Sequence, residues 1–290
     1  MRLISTEPKV LYYALGGGRG HATRSRRLGS LFAGRVHYLL PERLRGWAEG
    51  LEASFCSGET LLGTVKGLLR DFQPDLLVVD AFPRGILGEL ASLEFPCPAW
   101  LIARWLKPAY ALRPEVVESL GRYEAVLGCE LNPWGARSLG PVVGSLGTAR
   151  ACGRLWLGSG PLEEQRQLAS FLGERFLQVS AELGPAHQDV AGLLAGAELV
   201  ISAAGYNAYQ EIVQAGTPVI FWPQDRLYDE QVLRARGLLG PGPRGWWRCV
   251  NDFDGLGRAL KEFESERPVP AGQLAASSDW SGAFRSLITN

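Results

Sequence analysis

The sequence predicts a doubly wound α/β architecture with two parallel-sheet domains, on three observations. Short, continuously apolar runs alternate with amphipathic stretches along the chain, the pattern of strands buried on both faces by covering helices. That rhythm stops at residues 141–153, which are rich in glycine and short of long apolar runs, and then restarts. Each half opens with a strand followed by a glycine turn, at 16–20 in the first and at 158–161 in the second. The predicted domains are 1–149 and 150–290.

Residues 9–15 read as a buried strand that the turn at 16–20 breaks, and residues 22–32 as a helix. Leu28, Leu31 and Phe32 face inward on that helix and Arg24, Arg26 and Arg27 face the other way. Strands follow at 35–40, 76–80, 99–103 and 125–129, with helical stretches between the later ones. In the second half, 154–157 is a strand, 158–161 a turn and 162–172 a helix. Strands at 176–180, 199–202 and 218–222 complete it, and no internal sequence repeat is present beyond the shared rhythm.

Composition narrows the class. A length of 290 residues fits two domains at roughly 150 residues each. Hydrophobic residues make up 46% and charged ones 21%, which is core-forming material and not a disordered chain. Lys+Arg and Asp+Glu balance at 30 each, so no global field draws nucleic acid or anionic lipid. No apolar run reaches the ~18–20 residues of a membrane span. Residues 1–9 are polar and lead into an apolar segment too short and wrongly flanked for a secretory signal. Cys56, Cys97, Cys129, Cys152 and Cys249 are scattered, with no CxxC or Cys/His metal spacing. Reduced thiols in the cytoplasm are therefore expected, with neither a metal nor a cofactor.

The first turn reads Gly16-Gly17-Gly18-Arg19-Gly20-His21-Ala22-Thr23-Arg24. It departs from the dinucleotide fingerprint, because His21 stands where the third glycine belongs, and no Gly-Lys-Ser/Thr follows to make a phosphate loop. Glycines such as Gly18 and Gly20 still let the backbone approach a ligand next to a helix N-terminus. In an open parallel sheet the carboxyl ends of strands are where ligands bind, so His21 is expected to face the crevice. Its ordinary pKa near ~6.5 suits a general base. In the second turn, Ser159 and Gly160 are candidate phosphate or nucleoside contacts.

The densest signal is the segment 198–223 with its continuation Tyr228-Asp229-Glu230-Gln231. A strand ends at Ser202, Ala203–Gly205 turn the chain, a helix carries Glu211 inward, and Pro218 opens another strand. The spacing Ser202-x-Ala204-Gly205, then Glu211, then Gly216-x-Pro218, then Glu230-Gln231 resembles the nucleotide-sugar half of GT-B glycosyltransferases. It is similar to the family of the peptidoglycan N-acetylglucosaminyl transferase. The match covers roughly residues 198–236, with weaker support from the two glycine turns.

The resemblance implies two Rossmann-like domains facing across a cleft, the first on the acceptor side and the second binding the nucleotide sugar. It implies metal-independent sugar transfer from a nucleotide-diphosphate sugar, most simply a UDP-sugar, to an acceptor hydroxyl. Glu211 resembles the acid that takes both ribose hydroxyls, a task for an acceptor-only carboxylate. Ala204 and Gly205 resemble the turn whose amides meet the diphosphate. Asp229, Glu230 and Gln231 resemble the loop that binds the transferred sugar, and His21 the base. A Ser or Thr common in the family is replaced by Ala208, with Asn207 as a stand-in. Three other readings stay open: hydrolysis of a nucleotide sugar, as in an enzyme of the pseudaminic acid pathway, epimerisation of a nucleotide sugar, and binding without turnover.

Other residues carry weaker signals. Asp80 ends a strand, where it either caps a helix beginning near Arg84 or touches the acceptor. Arg24 is placed to reach a phosphate. Asp252 and Asp254 form an Asp-x-Asp best read as a helix cap, His187 sits at a helix start, and His37 is structural. Trp246 and Trp247 are packing residues, whereas Trp100 and Trp105 are candidates for stacking on a sugar. Peripheral membrane contact through a surface patch remains open.

Overall fold

The structure is a computed structural model and describes residues 7–132, 134–180, 190–240, 242–272 and 279–289. The chain forms two compact units, Met1–Val142 with Ser278–Asn290 and Val143–Ser277. The first runs β1 (Val10–Tyr13), α1 (Arg19–Gly29), β2 (Val36–Pro41), β3 (Ala53–Cys56), α2 (Leu61–Phe72) and β4 (Leu76–Asp80). It continues through β5 (Ala99–Ala103), α3 (Pro108–Ala111), α4 (Pro114–Ser119), β6 (Ala125–Gly128) and β7 (Arg137–Ser138). The second runs β8 (Gly153–Gly158), α5 (Leu162–Leu172), β9 (Leu177–Ser180), α6 (Val190–Gly196), β10 (Ala197–Ser202) and α7 (Tyr206–Ala215). Then come β11 (Val219–Phe221), α8 (Gln231–Ala235), β12 (Trp247–Cys249) and α9 (Phe253–Glu266), and α10 (Trp280–Thr289) returns to the first unit.

The first sheet has the order β3-β2-β1-β4-β5-β6-β7 and the second β12-β11-β10-β8-β9, with every pairing parallel. The predicted doubly wound parallel class is thus the observed one. In the first unit β1, β4 and β5 are buried at every position, as central parallel strands covered on both faces must be. Leu61, Val65, Leu69 and Phe72 form the inward stripe of α2, at the helical spacing that puts one face into the core. In the second unit the strand period of two is visible directly. Leu155, Val200 and Val219 join Tyr209 and Ile212 of α7 on one side, while Trp156, Ile201 and Ile220 join Leu172 of α5 and Leu260 of α9 on the other.

Several expectations shift. Helix α1 begins at Arg19, within the glycine turn, because an extended Gly18 serves as its N-cap residue. His21 therefore lies in the first helical turn and not in a loop. The buried stripe of α1 runs His21, Arg24/Ser25, Leu28, so Arg24 faces inward while Arg26 is exposed. Strands β3, β7 and β12 are additional; β3 and β7 are too short or too mixed to register as apolar runs. The domain division falls at Val142/Val143, and residues expected to close the second domain belong to the first. Phe284 of α10 explains the return: it is fully buried, edge-on to Phe32 and Trp100 at 5.5 and 5.9 Å. Trp100 is therefore a core residue, 1% exposed, and not a surface for stacking. Asp252 does cap α9, accepting the Gly255 amide at 2.6 Å. His187 lies outside the described residues. Among them, no helix is long and apolar enough to cross a membrane.

Each sheet has one point where the strand order reverses from its first strand. In the first it lies between β1 and β4, and in the second between β8 and β10. At such points the loops leaving the carboxyl ends part and open a crevice. The two glycine turns leave β1 and β8, Asp80 ends β4, and the Ala203–Gly205 turn leaves β10. Topology alone thus brings the sequence candidates to these two places.

Candidate functional site

In the first unit a buried polar network occupies the β1/β4 switch point. Asp80 is wholly buried and His21 and Arg24 are 6% and 1% exposed. His21 Nδ1 lies 2.8 Å from Asp80 Oδ1, and Arg24 grips the same carboxylate through Nε at 2.9 Å and through Nη2. Burial alone would push the Asp80 carboxyl up. The Arg24 charge, the His21 side chain and the hydrogen bonds from both outweigh it and hold the carboxyl at about 2. Asp80 is consequently ionised and accepts from Nδ1–H, which leaves the lone pair of neutral His21 on Nε2. The imidazole is pushed below its ordinary pKa by burial, against the pull of Asp80 and with help from the Arg104 and Arg24 charges. The site therefore holds an oriented neutral imidazole whose basic nitrogen makes no hydrogen bond among the described residues.

Two neighbours shape that imidazole. A Cβ built on Gly16 would overlap Cδ2 and Nε2 of His21, so the first glycine of the turn is required for close approach. Gly16→Ala should displace the ring and cost ~1–3 kcal/mol, read as a lowered Tm of the first unit; an unchanged Tm would contradict this packing. Phe82 stacks on the ring as well, with ring centroids 5.6 Å apart.

Asp80 does not cap a helix, since its oxygens are taken by His21 and Arg24 and the next element is the short 3-10 turn Glu89–Ser92. Arg24 is sequestered in that ion pair. Gly18 is exposed and Gly20 half-buried beside His21. Arg43, missed in the sequence, fixes the turn by donating to the Gly16 carbonyl at 2.5 Å. His37 lies on β2, with Nδ1 2.9 Å from Glu52 and Nε2 2.9 Å from Ser54, and Trp105 is half-buried just beyond β5.

In the second unit the β8/β10 switch point forms a recess lined by Leu157, Ser159, Ser202, Ala203, Trp222 and Gln224 among others. Gly160 has φ +108°, and a Cβ there would overlap the Gln224 side chain. Gln224 Nε2 donates to the Ser159 carbonyl at 2.7 Å and to Glu164 at 3.3 Å. Its Oε1 is buried with no hydrogen-bond partner among the described residues, a cost of ~1–3 kcal/mol that a ligand donor would remove.

Across the recess, Ala204 takes a left-handed φ of +60°, a strained conformation for a residue with a Cβ. Gly205 then caps α7 and Glu211 is carried inward on it, 6% exposed. Arg234, unnoticed in the sequence, explains how the turn is held. It is fully buried, donating to the Ala204 carbonyl and to Asp229, each at 3.0 Å. Gln231 accepts the Gln224 amide at 3.0 Å and donates to Asp229 at 3.3 Å. The structure thus ties Ala204, Asp229 and Gln231 into one network, with Glu230 beside it and Asn207 in the first turn of α7. Among the described residues no group of three or more His, Cys, Asp or Glu is placed to hold a metal ion.

No protein-family model matches the chain, and no curated protein matches it. Solved structures do match. The calicheamicin glycosyltransferase CalG4 superposes with TM-score 0.58 at 19% identity, over 97% of this chain and 94% of that one. The spinosyn rhamnosyltransferase SpnG, complexed with thymidine diphosphate, gives 0.57 at 13% identity over 97% and 95%. A UDP-glucosyltransferase from Polygonum tinctorium gives 0.57 at 14% identity over 97% and 92%. The chain has the two-sheet GT-B fold that these glycosyltransferases share.

Proposed function

We propose that this protein is a glycosyltransferase that moves a sugar from a nucleotide-diphosphate donor to an acceptor hydroxyl. The observation that carries the reading is the His21–Asp80 pair at a sheet switch point: a neutral imidazole, oriented through Nδ1 by an ionised carboxylate, with no hydrogen bond to Nε2 among the described residues. Nε2 takes the acceptor proton as the hydroxyl oxygen attacks the anomeric carbon, and the nucleoside diphosphate leaves with the electrons of the broken bond. Asp80 then stabilises the imidazolium. Arg24 keeps Asp80 ionised and does not touch the diphosphate.

The donor belongs to the second unit. Backbone amides at Gly205 and Gly160 meet the diphosphate, with Ser159 and Asn207 beside it. Glu211 takes the ribose hydroxyls, and Asp229, Glu230 and Gln231 hold the sugar. Uridine is the base we assign, from the similarity of the 198–231 segment to the peptidoglycan N-acetylglucosaminyl transferase type. Five free thiols support a cytoplasmic setting, and we assign no metal or other cofactor.

Thermal melting against nucleoside diphosphates and their sugars tests this. A bound nucleotide at ~100 times its Kd adds about 2.7 kcal/mol, and the shift should be strongest for uridine. Glu211→Ala should lose ~1.5–3 kcal/mol of that binding, so that the shift shrinks or vanishes. Undiminished nucleotide binding by Glu211→Ala would remove the donor assignment. Free sugar released at the full rate without acceptor would make water the acceptor.

A further inference from the structure

The loop of residues 81–88, which follows Asp80, is pinned by side chains that the proposed chemistry does not use. Glu89 is 9% exposed, and its carboxylate accepts from the Tyr13 hydroxyl and, at 2.9 Å, from the Leu87 amide. The same Tyr13 oxygen accepts the Ile86 amide at 2.9 Å. Tyr123 donates to the Pro83 carbonyl at 2.7 Å. Gly85 has φ +83°, and a Cβ there would overlap the Glu89 carboxylate, so the chain closes tightly over that group. Tyr13 lies in the core cluster with Val65 and Leu69 of α2, on the far side of β1 from Tyr12, since successive strand residues alternate.

At the start of this loop Phe82 is 3% exposed. Its ring stacks on the His21 imidazole at 5.6 Å and 27°, and the Tyr110 ring meets it edge-on at 5.9 Å and 77°. The residue between Asp80 and Phe82 is Ala81, at φ +69°. An L-residue stays in that conformation only when its surroundings over-determine it. The turn that swings Phe82 over His21 is thus a strained backbone kept in place by the pinned loop beyond it.

We propose that Phe82 is a positioning residue for His21, and that the Tyr13–Glu89 pair, through the loop it clamps, keeps Phe82 flat on the imidazole. This rests on the reading of His21 as the base. Phe82 is an apolar wall that excludes water from one side of the ring and blocks its rotation away from Asp80. Burial is the largest influence holding the His21 pKa down, with Asp80, Arg104 and Arg24 acting on the same ring. None of those three charges is altered by changing the wall or the clamp. Loosening either should hydrate the imidazole and let its pKa rise.

The test needs no substrate. The chain has three histidines, so the His21 ring resonances are assigned by their loss in His21→Gln and titrated by NMR in the unliganded protein. Phe82→Ala should raise the His21 pKa toward 6.5. Tyr13→Phe should raise it by a smaller step in the same direction, and so should Glu89→Gln, whose single amide oxygen cannot accept from both the Tyr13 hydroxyl and the Leu87 amide. Phe82→Leu serves if Phe82→Ala fails to fold. A lowered Tm with an unmoved His21 pKa in both Phe82 and Tyr13 variants would overturn the proposal, leaving the clamp a purely structural feature. If turnover is found, the acid limb of kcat/KM should move with the titration while the donor KM holds. Failure to turn over any nucleotide sugar would sink the functional reading and leave the titration to judge the clamp.

Discussion

Asp80→Asn should destabilise the first unit by about 3–5 kcal/mol, because it leaves the buried Arg24 guanidinium without its counter-charge. The side chains involved are 2% and 0% exposed, so solvent cannot take over the screening. Urea unfolding followed by a first-unit probe measures it, and a midpoint shift below that of an ordinary surface change would contradict the buried pair. The pH dependence has a definite sign. With its folded carboxyl at about 2 and an ordinary value of 3.8, Asp80 contributes stability that is fully present above ~4. That contribution is lost as pH falls through the folded pKa, and it amounts to roughly 2 kcal/mol. His21 acts in the same direction and earlier. Its folded pKa lies below 6.5, so protons favour the unfolded chain as pH drops past that value. Wild type should therefore weaken from slightly acid pH downward in two stages, and Asp80→Asn should lack the second.

The second large effect is on turnover. His21→Gln keeps a side-chain donor for Asp80 but has no basic nitrogen, so kcat should fall ~10²–10⁴-fold while nucleotide binding is unchanged. Activity within an order of magnitude of wild type would dismiss His21 as the base. Because burial lowers the His21 pKa, the wild-type kcat/KM profile should stay flat below pH 6.5 before its acid limb begins. A limb at or above that pH would mean that the imidazole is hydrated during the proposed turnover.

Much of this was legible in the chain. Continuous apolar strands at 10–13, 76–80 and 99–103 can only be buried on both faces, and the glycine turns after two of the opening strands mark where backbones part. His21 stood out as an imidazole at the end of a glycine turn and the 198–231 segment through the spacing of its motif, whereas Asp80 was a weaker signal that a helix cap explained equally well. Other features were not legible, for local reasons. Arg24 looked like an exposed helical charge, since composition cannot tell that a carboxylate fifty-six residues away completes it. Arg234 and Gln224 carry no local pattern at all; their roles exist only as hydrogen bonds to carbonyls and carboxylates brought near by folding.

The sequence by itself determined the fold class, the two-part rhythm and the ends of the strands at which chemistry could sit, because hydrophobic period and glycine placement act over a few residues. Tertiary structure decided the rest: that α10 returns to the first unit through Phe284, that Asp80 serves His21 and Arg24 instead of a helix N-terminus, and that Phe82 covers the imidazole. Those outcomes depend on which buried polar groups find partners. In a desolvated interior an unpaired charge costs several kcal/mol, so the pairing is settled by contacts between segments far apart in the chain.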